Sequence, residues 1–475
     1  MKDEMKSATG GVLRKAMERI EPPDGLKGRA LKAMLAAAQA KKARRKRTLR
    51  MMRIAVPAVA VVIAAAVLLS TVAGGRLALS ASAQNLMSGV KKQSAQQTKV
   101  SQAFVDAASD FSVKLFRETA VEGKNSLISP LSVYYTLGLA SNGARGATRQ
   151  ALLNALGGGK LTQAQLNDSF EGYMSQIASV GHGTTLSLAN SIWYRSEFTA
   201  DQSFLQQNAD FFGACAYKTD FSKPSAAKAV NEWVKEHTNG LIDRIVDDKI
   251  DPDVQMMLVN ALYFNATWES VFYARDNKSL DFHPAQGAAY TTTFMTNSFM
   301  NSYIEDDGAQ GVLMPYSDGR FALAVLLPKN GASPASYLKT LTGAGFVKMV
   351  KAPLTGTMAS IELPKFTVKT DTMQLQDALK NMGLGIAFDP DKADFSGMGH
   401  DAANENLFIG KVRHKAYIRV DERGTEAGAA TEADVTGSSA PLVKMVKLTF
   451  DRPFVYAIVD MKTGLPLFMG TMERP

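Results

Sequence analysis

One cysteine, Cys215, is all that 475 residues contain, so no internal disulfide can form and no paired-thiol metal or redox motif is present. A chain this long can bury a large core without such staples, and Cys215 is expected to act as a small buried hydrophobe. Five histidines (His182, His237, His283, His400, His414) are scattered with no ligand spacing. The G-x-S-x-G elbow, the H-E-x-x-H helix, the P-loop lysine and the dinucleotide glycine fingerprint are all missing. Neither a metal nor a cofactor is expected. A hydrolase whose triad is assembled in space from distant residues would leave no local signature, and it remains a rival reading.

Basic charge is also missing from most of the chain, despite a net +9. Residues 1–53 hold 16 Lys and Arg against 5 Asp and Glu, a balance of +11, which leaves −2 for the remainder. No basic stripe interleaved with aromatics is found, so a nucleic-acid partner is not expected. Residues 1–53 read as a basic cytoplasmic tail, with an amphipathic stretch over Val12 to Ile20 and a break at Pro22-Pro23-Asp24-Gly25. An uncharged apolar run follows, and residues 54–74 read as a transmembrane signal-anchor helix. The flanking Lys41-Lys42-Ala43-Arg44-Arg45-Lys46-Arg47 orients it with the C-terminal domain outside. This predicts a single-pass plasma-membrane protein of bacterial type with an extracellular domain. Ala81-Ser82-Ala83 before Gln84 also fits a small-residue cleavage site, giving secretion after cleavage near Ala83 as the second reading. Residues 75–100 are small and polar and read as a stalk or linker.

From residue 101 the patterns are those of one large domain. Phe104, Ala107, Ala108, Phe111, Leu115 and Phe116 keep helical spacing, and helical signals recur over Ala226–Val234. Phe321–Leu327 and Val455–Val459 read as strands, and no internal repeat is evident. One segment is unusual: Gly424 to Thr436 alternates as a strand does, yet offers mostly methyl groups. Thr425, Ala427, Ala429, Thr431, Ala433 and Val435 share one face, and Glu426, Gly428, Ala430, Glu432, Asp434 and Thr436 share the other. Resident core strands favour bulkier β-branched and aromatic residues. This segment could lie in water and still enter a sheet.

Its surroundings carry a resemblance. Downstream are Leu448-Thr449-Phe450-Asp451-Arg452-Pro453-Phe454-Val455-Tyr456-Ala457-Ile458 and Pro466-Leu467-Phe468-Met469-Gly470; upstream is His414-Lys415-Ala416-Tyr417-Ile418-Arg419-Val420-Asp421-Glu422. With Asn125-Ser126-Leu127-Ile128-Ser129-Pro130-Leu131-Ser132, Asn260-Ala261-Leu262-Tyr263-Phe264, Trp268-Glu269 and Leu363-Pro364-Lys365-Phe366, these resemble the serpins, the serine-protease-inhibitor superfamily, over residues 101–475. The resemblance implies an α+β serpin fold: a single large domain of about three β-sheets and eight to nine helices with an exposed reactive-centre loop. It implies a suicide inhibitor of serine endopeptidases rather than an enzyme. The protease attacks the loop, forms an acyl-enzyme, and is trapped as the cut loop inserts into the main sheet. The alternative is a non-inhibitory serpin that acts as a protease substrate or binds a ligand.

The same resemblance assigns residues. Glu422, Gly424, Thr425, Glu426, Ala427, Gly428, Ala429 and Ala430 match the hinge. Counting as the family does from the hinge glycine places the reactive bond at Ser438–Ser439, with Val435, Thr436 and Gly437 as nearby alternatives. A small residue there suits an elastase-like or subtilisin-like serine protease, or a cysteine protease trapped in the same way. Ser129, Ser132, Asn260 and His414 match the shutter beneath the main sheet; Trp268, Lys365 and Glu422 match the breach at its top. Glycosaminoglycan-activated serpins usually carry a basic helix in the region matched by Leu156 to His182; here Lys160 stands nearly alone, so the resemblance implies no heparin acceleration. A monomer is expected.

Overall fold

The computed structural model describes residues 82–93, 99–178, 183–251, 254–401, 406–425 and 444–475. The tail, the 54–74 run and the loop over 426–443, including Ser438 and Ser439, lie outside the described residues. The first helix, α1 (Gln102–Thr119), opens on Ser101, whose hydroxyl accepts from the Phe104 amide. It buries Phe104, Phe111, Leu115 and Phe116 on one side. Helix α2 (Pro130–Ser141) is wholly buried, largely apolar with Ser132, Thr136 and Ser141 among its buried residues, as suits a helix at the centre of a large core. Around these two lie α3 (Gly146–Gly157), α4 (Gln163–Ala178), α5 (Gln202–Phe212) and α6 (Pro224–His237), then α7 (Pro334–Thr340), α8 (Gly343–Lys351) and α9 (Gln376–Leu379).

The main sheet runs β1 (Gln84–Asn85), β5 (Cys215–Thr219), β3 (Thr184–Arg195), β6 (Met256–Thr267), β18 (Gly424–Thr425), β17 (Tyr417–Asp421) and β13 (Phe366–Lys369). Beside the lower half of β6 lies β16 (Lys411–His414), which also pairs with β14 (Met373–Gln374). A second sheet runs β2 (Ser126–Ile128), β21 (Pro466–Met472), β20 (Phe454–Asp460), β11 (Phe321–Pro328), β10 (Ala309–Pro315) and β9 (Tyr303–Glu305). Strands β11, β20 and β21 are buried along their whole length. The third sheet runs β19 (Lys444–Thr449), β12 (Thr357–Pro364), β8 (Tyr290–Met300) and β7 (Lys278–Phe282), and a small pair joins β15 (Gly399–Asp401) to β4 (Phe198–Ala200). This is the expected mixture of three large sheets and helices, with β11, β20 and α6 enclosing the segments read from periodicity.

Two expectations are corrected. Among the described residues no helix is long and apolar enough to cross a membrane, so the single-pass plasma-membrane placement is withdrawn. Part of the segment read as a stalk is instead attached to the main sheet: Gln84 and Asn85 pair with Lys218 and Tyr217, and Ala83 is buried in a cluster with Trp193, Tyr217 and Trp233. Further along, Lys92 meets Glu171 at 3.1 Å and the Gln93 amide donates to Asp210. A two-residue strand has no hydrophobic period, so composition alone read it as linker. Cys215 is only partly buried, packed against that same cluster.

Candidate functional site

The long strand β6 borders three different partners. On one side it keeps an unbroken antiparallel ladder with β3, from Thr184↔Ala266 to Tyr194↔Met256. On the other, Met257–Val259 pair in parallel with β16, while Ala266 and Thr267 pair with β18. Between those two contacts β6 and β17 share no ladder among the described residues. The sheet is therefore closed at its lower end, pinned at the top, and divided between.

At the top the chain leaves β17, turns through Glu422 and Arg423, and comes back as β18. Thr425 lies opposite Val420 of β17 and Ala266 of β6, and Gly424 lies opposite Asp421 and Thr267. Gly424 has φ +153°, and a Cβ there would sit 2.0 Å from the Ala266 carbonyl oxygen, so only glycine fits. The Thr425 side chain is buried, its hydroxyl 2.5 Å from the Tyr316 hydroxyl. Tyr316 stacks on Trp268 at 4.7 Å. The Trp268 indole N–H donates to the Asp421 carbonyl at 2.8 Å, and its backbone N–H donates to the Arg423 carbonyl. Glu422 accepts from the Lys365 ammonium at 3.0 Å and from the Asn277 amide at 2.6 Å. Burial alone would raise the Glu422 pKa, but bonds from Asn277 and Lys365 outweigh it and hold the carboxyl below its ordinary value. Trp268, Lys365 and Glu422 thus meet at one place. Of the residues matched to the hinge, Glu422, Gly424 and Thr425 lie in this turn, and Glu426, Ala427, Gly428, Ala429 and Ala430 lie outside the described residues.

At the lower end of the divide Ser129, Ser132, Asn260 and His414, the residues matched to the shutter, meet in two linked pairs. The backbone N–H of Ser129 donates to His414 Nε2 at 3.1 Å, and the Ser129 hydroxyl donates to the Leu467 carbonyl at 2.8 Å. Ser129 also caps α2 and takes the Ser132 amide at 3.3 Å. The Asn260 amide donates to the Ser132 carbonyl at 3.1 Å and to Asn190 Oδ1 at 2.5 Å. Thr136 donates to the same Asn190 oxygen at 2.9 Å. His414 is buried, and desolvation pushes its imidazole down to about 4. Its Nδ1 and the Asn260 Oδ1 are buried without partners. A neutral ring that accepts at Nε2 carries its proton on Nδ1, so one orphan is a donor and the other an acceptor. The serine bonded to this histidine, Ser129, reaches it through its backbone N–H, and its hydroxyl points to a carbonyl. This contact cannot generate a nucleophile.

Asn190, Thr136, Asn277 and Tyr316 were not singled out from the sequence. Asn190 had a weak signal, a lone amide in an apolar strand, and it lies in register with Asn260. Asn277 and Tyr316 carry no local signal, because only the folded turn at Glu422 and Thr425 brings them into place.

Comparison with known proteins gives a consistent result. A family profile described as Serpin (serine protease inhibitor) matches residues 106–475. The crystal structure of the thermophilic serpin tengpin in its native state superposes with a TM-score of 0.78 at 36% identity, covering 83% of this chain and 100% of that one. An uncharacterised serpin-like protein of Thermococcus kodakarensis is 32% identical over 78% of this chain and 85% of its own. Plasminogen activator inhibitor 1 of Bos taurus is 28% identical over 78% of this chain and 93% of its own. On that family match over residues 106–475 and these relatives, the chain belongs to the serpin family.

Proposed function

We propose that this serpin is a suicide inhibitor of serine endopeptidases. Serpins as a family are protease inhibitors rather than enzymes, and the observation that carries the reading for this chain is the pairing of Gly424 and Thr425 between β6 and β17. The loop has already begun a strand at the place where a longer one could follow. Thr425 faces inward, so alternation puts Ala427, Ala429, Thr431, Ala433 and Val435 on the same inward face. None of these is bulky or charged, and burying an unpaired charge in that slot would cost several kcal/mol.

The chemistry is that of the protease. Its seryl oxygen attacks the Ser438 carbonyl, Ser439 leaves as the new amino terminus, and an ester links the protease to Ser438. The freed strand then zips down between β6 and β17 and carries the protease with it. Stored free energy released by cleavage drives the change, and deacylation fails once the protease's active site is pulled out of shape. The small Ser438 fits an elastase-like or subtilisin-like pocket better than one lined with acid. Full-length protein mixed with pancreatic elastase and with subtilisin tests this on denaturing gels. The expected result is a covalent band together with a released peptide that begins at Ser439. Cleavage by both proteases with no such band would make the chain a substrate instead.

A further inference from the structure

Among the described residues four large apolar side chains stand well exposed: Val121, Met300, Leu354 and Met445. Two of them belong to a single line across the third sheet. Met358 of β12 pairs with Met300 of β8 on one side and with Met445 of β19 on the other. Residues directly opposite in adjacent strands project from the same face. Thr357, Ala359 and Ile361 are buried beneath, so Met358 and Ser360 take the outer face, and Glu362 follows in the same phase, buried with Lys278 and Lys447 as its partners. The Lys447 and Thr449 contacts of Glu362 place β19 in the same phase. Three thioethers thus form a row on the solvent side, with Met445 62% and Met300 44% exposed. The next row, Ser298, Ser360 and Lys447, is polar, which is the ordinary composition of a wet sheet face. The methionine row departs from it.

Its place relative to the loop says what covers it. Met445 is the second residue of β19 and follows Ser438 by seven positions. An extended chain spans at most about 3.5 Å per residue, so that tether reaches roughly 25 Å. A protease holding Ser438–Ser439 in its cleft is kept within that distance of the row. Resting on the inhibitor reading above, we propose that Met300, Met358 and Met445 form a secondary docking strip that takes an apolar rim of the target protease, on the side of its cleft that receives the chain after the cut bond. Long unbranched thioethers suit this use because they adapt to irregular apolar surfaces. A few such side chains at the centre of a contact carry most of its energy.

The test uses full-length protein carrying Met300→Gln with Met445→Gln, which preserves side-chain length and removes the apolar surface. The readout is the second-order rate of attack on the loop by subtilisin and by elastase, with thermal midpoints measured in parallel. The expected result is a fall of about tenfold in rate, with the number of serpin molecules consumed per protease unchanged. Val121→Gln, on the turn between α1 and β2 outside the third sheet, leaves the rate unchanged. Met300→Leu with Met445→Leu, which keeps the apolar surface, restores it. A double glutamine variant within about twofold of the parent, or a leucine pair as slow as the glutamine pair, overturns the strip. A parent dimer that the glutamine pair dissociates on size-exclusion assigns the row to a second copy, and also overturns it. If the parent is cleaved without a covalent band, the inhibitor reading fails on its own. The cleavage rate still decides, since a tenfold slower cut upholds the strip and an unchanged one removes it.

Discussion

At Glu422 one carboxylate oxygen receives both the Lys365 ammonium and the Asn277 amide, and the backbone around it turns the chain into β18. Glu422→Lys would set two ammonium groups against each other and leave Asn277 without its acceptor. The expected outcome is soluble loop-sheet polymer on mild heating, read on native gels; a variant that stays monomeric would remove this role from the pair. His414 gives a second test, through pH. Its pKa is depressed from 6.5 to about 4 in the fold, so between those values the unfolded chain binds more protons than the folded one. The contribution of this imidazole to stability is full above pH 6.5 and is lost as pH falls towards 4, by about 3 kcal/mol in all. Denaturant midpoints over pH 4–7 should fall more steeply for the parent than for His414→Gln, and parallel curves would contradict the assignment. Both residues were legible in the sequence because each stands in a long motif. Asn277 was not, because nothing near it in the chain marks it as a partner for Glu422.

The hinge makes its prediction at the level of the strand. Ala429→Arg puts a guanidinium on the inward face of a strand that has to enter the sheet. Insertion should slow until deacylation overtakes it, so more serpin is cleaved per protease trapped and the stoichiometry of inhibition rises several-fold. An unchanged stoichiometry would mean that the face was assigned wrongly. Strand β19 is held differently. Burial would raise the Glu362 pKa, but Lys278, Thr449 and Lys447 bond it and hold the carboxyl at about 2. Two of those partners belong to β19, so Glu362→Gln should loosen that strand and lower thermal stability by about 1–3 kcal/mol, measured by calorimetry. Periodicity found the elements that bury a continuous face, α1, α6, β11 and β20. It did not find the break between β16 and β17, where the Ala416 amide bonds the Thr370 hydroxyl instead of continuing the ladder, because no glycine or proline marks it. Nor did it find β1, whose two residues owe their place to the exposed edge of β5.

For the whole molecule, the divided main sheet implies a native state short of its best pairing. Limited proteolysis inside residues 426–443, followed by a thermal scan, should give a nicked chain that melts well above the intact one. A nicked chain that melts at or below the intact temperature would mean that no strand had been added. The closed lower end at Arg413↔Val259 and the network beneath it set how far the sheet must part for this to happen. Because Thr425 is already fixed against Val420 and Ala266, the register of any strand that follows is chosen before the loop is cut. A slip of one residue would exchange the two faces and drive Glu426, Glu432 and Asp434 into the core. In the proposed insertion the seated pair of residues would therefore fix the alignment of the whole strand while the protease is still in solution.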